Sequence, residues 1–312
     1  MALASLAWAA PAYPTKPIRL VAGFPPGGGV DIVARLFSPR LGETLGQQVV
    51  VENRPGATGT LAANVVAKAT PDGYTILFGS GSTNLVAPLL YSKLPYDWKR
   101  DLSPVVLLTS VPVLISVTRT FPISSVRELI DSAKSDPNKL SYPSAGNGST
   151  VHIAGEMFKM MAGVNLLHVP YQGAGQSVPD LIAGRVQVSF DSIATIIPHV
   201  RADKLRAIAV ASHNRFPLLP DVPTGAEAGL PGYEISSWSA LFVPAGTPAS
   251  ACAILRVAAL KVRQAPDFKE KLLSQFGAEE MGINTPVQLQ TFIDGEIAKY
   301  TKVVKTARMK ID

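Results

Sequence analysis

Five short β-rich runs in this chain each end in a loop of small or polar residues that leads straight into a helical pattern. The loops are Phe24-Pro25-Pro26-Gly27-Gly28-Gly29, Gly79-Ser80-Gly81-Ser82-Thr83-Asn84, Ser144-Ala145-Gly146-Asn147-Gly148-Ser149, Tyr171-Gln172-Gly173-Ala174-Gly175 and Asp191-Ser192. Strand, helix and strand in alternation predict an α/β fold, with helices covering mostly parallel sheets. One series has strands at 18–23, 48–52 and 74–78 with helices at 31–45 and 60–68. Ile32, Val33, Leu36, Phe37 and Leu41 are the apolar positions of its first helix. Pro39 is expected to kink that helix.

A long apolar run at 105–117, broken by Pro112, reads as two short strands. A second series then has strands at 140–143, 165–169, 186–190 and 206–211, with helices at 124–134, 150–161, 175–183 and 193–202. It makes the region from about 110 to 230 a unit of its own. A further strand at 235–243 precedes three helices at 257–263, 266–276 and 286–305. Two units also suit the length, since 312 residues is about two domains at roughly 150 residues each.

Composition removes several classes. Hydrophobic residues make up 47% and charged residues 17%, which is too apolar for a disordered chain. Past the N-terminus there is no apolar run of about 18 residues that could span a membrane. The net charge of +6 is spread along the chain, whereas a nucleic-acid groove needs clustered Lys and Arg, so no nucleic-acid partner is expected. The lone cysteine, Cys252, makes neither an internal disulfide nor a thiolate metal site and reads as a small core residue. Met1–Ala12 runs from apolar to small residues with two small-x-small sites, like the end of a secretory signal that lacks its basic region. The mature chain is expected to start near Tyr13.

Each loop has both a ligand-binding and a purely structural reading. Glycines let the backbone approach a ligand, and a helix N-terminus presents unpaired N–H groups to an anion. Equally, the same residues make tight turns, and Ser149 is placed to cap the helix that follows it. Phe24–Gly29 matches neither a P-loop nor the G-x-G-x-x-G fingerprint, so no nucleotide cofactor is expected. Because ligands of open α/β sheets bind beyond the carboxyl ends of the strands, loops from two facing units would converge on one cleft. Such a cleft is rich in N–H and hydroxyl donors and suits a small carboxylate.

Signals of catalysis are thin. There is no G-x-S-x-G elbow, and His152, His168, His199 and His213 form no metal spacing, so no metal is expected. His152 either lines the cleft or faces solvent, with Glu156 its i,i+4 surface partner. A hydrolase using Ser144 or Ser149 with His152 is the enzymatic alternative, with Asp191 as a conceivable third member. Trp238 and Tyr171 are either cleft walls or, for Trp238, core.

At these loops the sequence resembles the Bug-type solute receptors of tripartite tricarboxylate transporters. The resemblance spans nearly the whole mature chain. It rests on Tyr13-Pro14-Thr15-Lys16-Pro17-Ile18-Arg19, Phe24-Pro25-Pro26-Gly27-Gly28-Gly29-Val30-Asp31, Val50-Val51-Glu52-Asn53-Arg54-Pro55-Gly56-Ala57 and Leu94-Pro95-Tyr96-Asp97. It continues through Ser144–Ser149, His168-Val169-Pro170-Tyr171, Leu219-Pro220-Asp221-Val222-Pro223-Thr224, Glu227-Ala228-Gly229-Leu230-Pro231-Gly232 and Pro244-Ala245-Gly246-Thr247-Pro248.

The resemblance implies a two-lobe periplasmic binding protein type II fold that closes on its ligand across two hinge strands, near 108–115 and 236–243. Lobe one would be residues 13–110 plus 238–312, and lobe two 111–237. It implies a periplasmic, non-enzymatic, monomeric receptor that hands a mono- or dicarboxylate to membrane transporter subunits; an extracytoplasmic sensor is the alternative. The implied ligand-binding residues are Phe24, Pro25, Pro26, Gly27 and Gly28 from the first loop, and Ser80, Ser82, Thr83 and Asn84 from the second. Lobe two would add Ser144, Gly146, Asn147, Gly148, Ser149, His152, Tyr171, Gly173 and Asp191. Two features stand apart: Gln172 lies where such receptors often carry Lys, and Asp191 would repel a carboxylate beside it and welcome a donor.

Overall fold

The computed structural model describes residues 13–278 and 281–309, so the signal-remnant reading of 1–12 lies outside the described residues. Strands are β1 (Ile18–Ala22), β2 (Val49–Asn53), β3 (Thr75–Ser80), β4 (Leu102–Thr118), β5 (Ser141–Ser144), β6 (Leu167–Pro170), β7 (Val188–Ser192), β8 (Leu205–Val210) and β9 (Ser236–Pro244). Helices are α1 (Gly29–Leu45), α2 (Thr60–Ala67), α3 (Ala87–Leu90), α4 (Trp98–Asp101), α5 (Val126–Ser135) and α6 (Thr150–Ala162). They continue with α7 (Ala174–Ile182), α8 (Ile193–Arg201), α9 (Ala249–Gln264), α10 (Pro266–Phe276) and α11 (Pro286–Thr306). The α1 helix runs on through Pro39 to Leu45.

The main sheet has the order β2-β1-β3-β9-β4-β7, and β8 also pairs with β4. β1, β2 and β3 are parallel, as the alternation requires. Beyond them the sheet is mixed. β4 carries the chain out of the first lobe and β9 brings it back, so these two run antiparallel to each other. β7 and β8 then flank the far end of β4, antiparallel to it. In the second lobe β5 and β6 form a parallel pair, and an isolated parallel bridge joins Val210 to Thr224.

The run expected to break at Pro112 is instead one strand of 17 residues. Up to Pro112 it pairs with β9, and from Val113 it pairs with β7. Val113 donates its N–H to Ile235 O, so by alternation the N atom of Pro112 points away from β9, to the side where this stretch has no neighbour. A proline is tolerated in a strand under that condition. The second correction concerns 79–84. It is not a loop: β3 extends to Ser80, and a π-helical turn begins at Ser82.

Side-chain alternation sends the central strands into two cores. On β1, Val21 faces a core closed by α2, α5, α6 and α11, while Leu20 and Ala22 face one closed by α1, α8, α9 and α10. Trp238 belongs to the first core, fully buried and edge-on to Phe292 at 5.7 Å, so it is core and not cleft wall. Cys252 lies half-buried in α9.

Candidate functional site

Four helices begin at one cavity of about 350 Å³, within the size range of small-molecule sites. The N-cap residues Gly28 of α1, Ser149 of α6, Gly173 of α7 and Ser192 of α8 all line it, together with residues of each first turn. First-turn N–H groups have no intrahelical partner, and each helix start carries roughly half a positive charge. The cavity floor comes from the two crossing strands. Thr109 pairs in register with Ser239 and Val111 with Ser237, so the four share one face of the sheet. No Lys, Arg or His lines the wall among the described residues; Asp191 is its one ionisable side chain.

The first loop is held by a single buried hub. Asp31 accepts from the Gly27 N–H at 2.9 Å, from Arg35 Nε at 2.9 Å and from Asn53 Nδ2 at 2.8 Å. Asn53 Nδ2 also donates to Phe24 O at 3.0 Å, which ties β2 to the loop. Burial would raise the Asp31 carboxyl, but the bonds from Arg35, Gly27 and Asn53 prevail and hold it below the usual range. This holds the loop of Phe24, Pro25, Pro26, Gly27 and Gly28, all five of which line the cavity.

From the second loop only Ser82 reaches the cavity. Its Oγ accepts from the Thr150 N–H at 2.9 Å, joining the first lobe to the start of α6. Ser80, Thr83 and Asn84 turn inward: Asn84 Oδ1 accepts the Ser80 N–H at 3.1 Å, and the Ser80 and Thr83 hydroxyls pair at 3.2 Å. They brace the turn behind Ser82.

A similar division holds for the third loop. Ser149 and Ala145 line the cavity, whereas Ser144, Gly146, Asn147, Gly148 and His152 do not. Behind the wall, Ser144 Oγ meets His168 Nε2 at 2.6 Å, and Gly146 donates its N–H to Ser144 Oγ at 3.1 Å. Gly148 donates its N–H to His152 Nδ1 at 3.1 Å, so the neutral ring carries its proton on Nε2. The two imidazoles stack at 3.8 Å. Glu156 accepts from the Tyr142 hydroxyl at 2.7 Å and from Lys159 at 2.8 Å. The serine–histidine contact therefore pairs Ser144 with His168, and Ser144 is only 1% exposed. Asn147 offers its carbonyl to Thr58 Oγ1 at 2.9 Å, a second bond between the lobes.

In the remaining loops Gly173 and Asp191 line the cavity and Tyr171 does not, its hydroxyl donating to Asp180 at 2.8 Å. Sequence reasoning missed Thr109, Thr195, Ser237 and Ser239 and did not count Gln172 or Gln176 as site residues. A signal was available for the floor: Ser237-Trp238-Ser239 alternates hydroxyl with core, and Thr109 interrupts an apolar run. Among the described residues no group of three or more His, Cys, Asp or Glu is placed to hold a metal ion.

The histidine pair gives stability a pH dependence of known sign. Burial, then the neighbouring His168, pushes His152 down to about 3, and burial pushes His168 down to about 4. Burial also pushes Asp191 up to about 6. Between pH 6.5 and 4.5 the unfolded chain protonates both histidines while the fold does not, whereas Asp191 takes up a proton only in the fold. The unfolded state then binds more protons than the fold, so stability falls on acidification, by on the order of 1 kcal/mol per pH unit. Urea unfolding at pH 6.5 and 5.0 tests this; equal or greater stability at pH 5.0 contradicts it.

Two lobes joined by crossing strands, with helix starts pointing into the cleft between them, match the periplasmic binding protein type II fold that the family resemblance implies. The model of the tripartite tricarboxylate transporter family receptor matches residues 33–309. The chain belongs to that receptor family. It is 41% identical over 300 residues to a protein from the tcbD-tcbE intergenic region of Pseudomonas sp. (strain P51), covering 96% of this chain and 88% of that one. Among solved structures, R. palustris Rpa4515 with adipate is 38% identical with a TM-score of 0.90, over 96% of this chain and 99% of that one. The periplasmic binding protein BugD is 34% identical with a TM-score of 0.87, over 96% and 99%.

Proposed function

We propose that this protein is a periplasmic, monomeric receptor that closes on a small carboxylate and delivers it to the membrane subunits of a tripartite tricarboxylate-type transporter. The observation that carries this reading is the meeting of four helix N-termini on a cavity whose wall holds no basic side chain. There a carboxylate is held by backbone N–H groups and hydroxyls, which act on an anion without a salt bridge. The adipate carried by the Rpa4515 structure supports this ligand class.

In this reading residues 13–110 with 238–312 make one lobe and 111–237 the other. β4 and β9, shared by both, serve as the hinge. A ligand touching both lobes shifts the population toward the closed form. The cavity residues named from the sequence bind it directly, while Ser80, Thr83, Asn84, Ser144, Gly146, Asn147, Gly148, His152 and Tyr171 hold the loops in place. A hydrolytic role draws no support from Ser144 and His168, which lie behind the cavity wall.

Thermal unfolding in the presence of mono- and dicarboxylates tests the proposal. A cognate acid at about 100 times its Kd should stabilise the fold by about 2.7 kcal/mol. No shift with any carboxylate would contradict it.

A further inference from the structure

The cavity is electrically lopsided, and the side that carries Asp191 has no use in a site built only for carboxylates. Asp191 is the penultimate residue of β7, directly before the Ser192 N-cap of α8. It is more than nine-tenths buried, and it lines the cavity. Its Oδ1 accepts the Ser192 N–H at 2.6 Å, while Oδ2 meets no donor among the described residues. The carboxylate thus offsets the positive end of α8. At α6 the first N–H is already taken by Ser82 Oγ. The starts of α1 and α7, capped by Gly28 and Gly173 without any side-chain acceptor, keep first-turn N–H groups open to an anion, and the Asp31 carboxylate in the first turn of α1 is already paired with Arg35.

A buried carboxylate calls for a partner charge or donors. The wall supplies hydroxyl donors but no Lys, Arg or His, so a full counter-charge for Asp191 has to come from the ligand. We infer that the ligand of this chain is an amino acid in the broad sense, a monocarboxylate with a protonated amine, whose carboxylate meets the starts of α1 and α7 and whose ammonium pairs with Asp191. This rests on the carboxylate-receptor reading and narrows it. A dicarboxylate fits poorly, because its second carboxylate would approach Asp191 with no cation between them. That burial pushes Asp191 up to about 6 agrees with a carboxylate to which the cavity wall offers no counter-charge.

Calorimetric titration of the full chain at pH 7.5 tests the inference with four- and six-carbon sets. Each set contains the plain acid, the 2-hydroxy acid, the 2-amino acid, the ω-amino acid and the dicarboxylate. The expected result is that an amino acid binds at least tenfold more tightly than the plain acid, hydroxy acid and dicarboxylate of its set. In Asp191→Asn, an isosteric change, that ratio should fall below threefold. The inference is overturned if a plain acid, hydroxy acid or dicarboxylate binds as tightly as the amino acids, or if the preference survives in Asp191→Asn. Either outcome leaves the carboxylate receptor standing, whereas failure of every acid in both sets removes that reading as well. Should Asp191→Asn not fold, the ranking on the native chain decides alone.

Discussion

Replacing Gly29 with proline should weaken carboxylate binding by about 10- to 100-fold and leave the fold at least as stable as before. Gly29 is the first residue of α1 and lines the cavity. Proline is well suited to that position, because the N–H it deletes has no intrahelical partner and its fixed φ is already helical. The residue before it must be extended, and Gly28 is, at φ −79 and ψ 162. A Cβ on Gly29 meets nothing within 4 Å. The substitution also restricts the unfolded chain, which favours the fold by about 0.4–1 kcal/mol. What it removes is one N–H at the positive end of a helix. A hydrogen bond to a charged group is worth about 1.5–3 kcal/mol, and about 1.4 kcal/mol is a factor of ten. Gly29→Ala keeps the N–H and serves as the control, with affinity expected to remain near that of the native chain. Equal affinity in Gly29→Pro and Gly29→Ala would move the anion away from α1.

The largest effect on stability is expected at Gly79, in the middle of the sheet. It sits in β3 opposite Ala240 of β9. A Cβ there would lie 2.6 Å from the Phe242 ring and would also collide with Asn84 Oδ1. Asn84 Oδ1 is the acceptor that ties the Ser80 N–H, so the clash also disturbs the turn that presents Ser82 to the cavity. Gly79→Val should cost about 3 kcal/mol from overpacking, plus about 1 kcal/mol from the lost hydrogen bond. The urea midpoint of Gly79→Val should fall accordingly, or the variant should fail to accumulate as folded protein. An unfolding free energy within about 0.5 kcal/mol of the native chain would contradict the packing described for β3 and β9.

Much of this arrangement was legible because α/β order is written in local patterns. Strand-loop-helix alternation located α1, α6, α7 and α8, and the site forms where those helices start. What stayed hidden depends on long-range pairing. Pro112 looks like a strand breaker until β9 is known to lie on the side away from its N atom. Ser80, Thr83 and Asn84 look like donors for a ligand, yet the π-helical turn closes them on one another. His152 and His168 are far apart in sequence, and only the fold stacks them behind the loop they brace. Thr109 and Ser239 become neighbours only through the register of two strands 130 residues apart in the chain.

The central claim is that backbone N–H groups at helix starts hold a carboxylate without any basic side chain. Calorimetric titration of the native chain with a carboxylic acid that binds, followed by its primary amide, tests that claim most directly. The two have nearly the same shape and differ in charge. The acid should bind and the amide should bind at least tenfold more weakly, the fold-change expected for loss of hydrogen bonds to a charged group. Equal affinity for acid and amide would contradict the account.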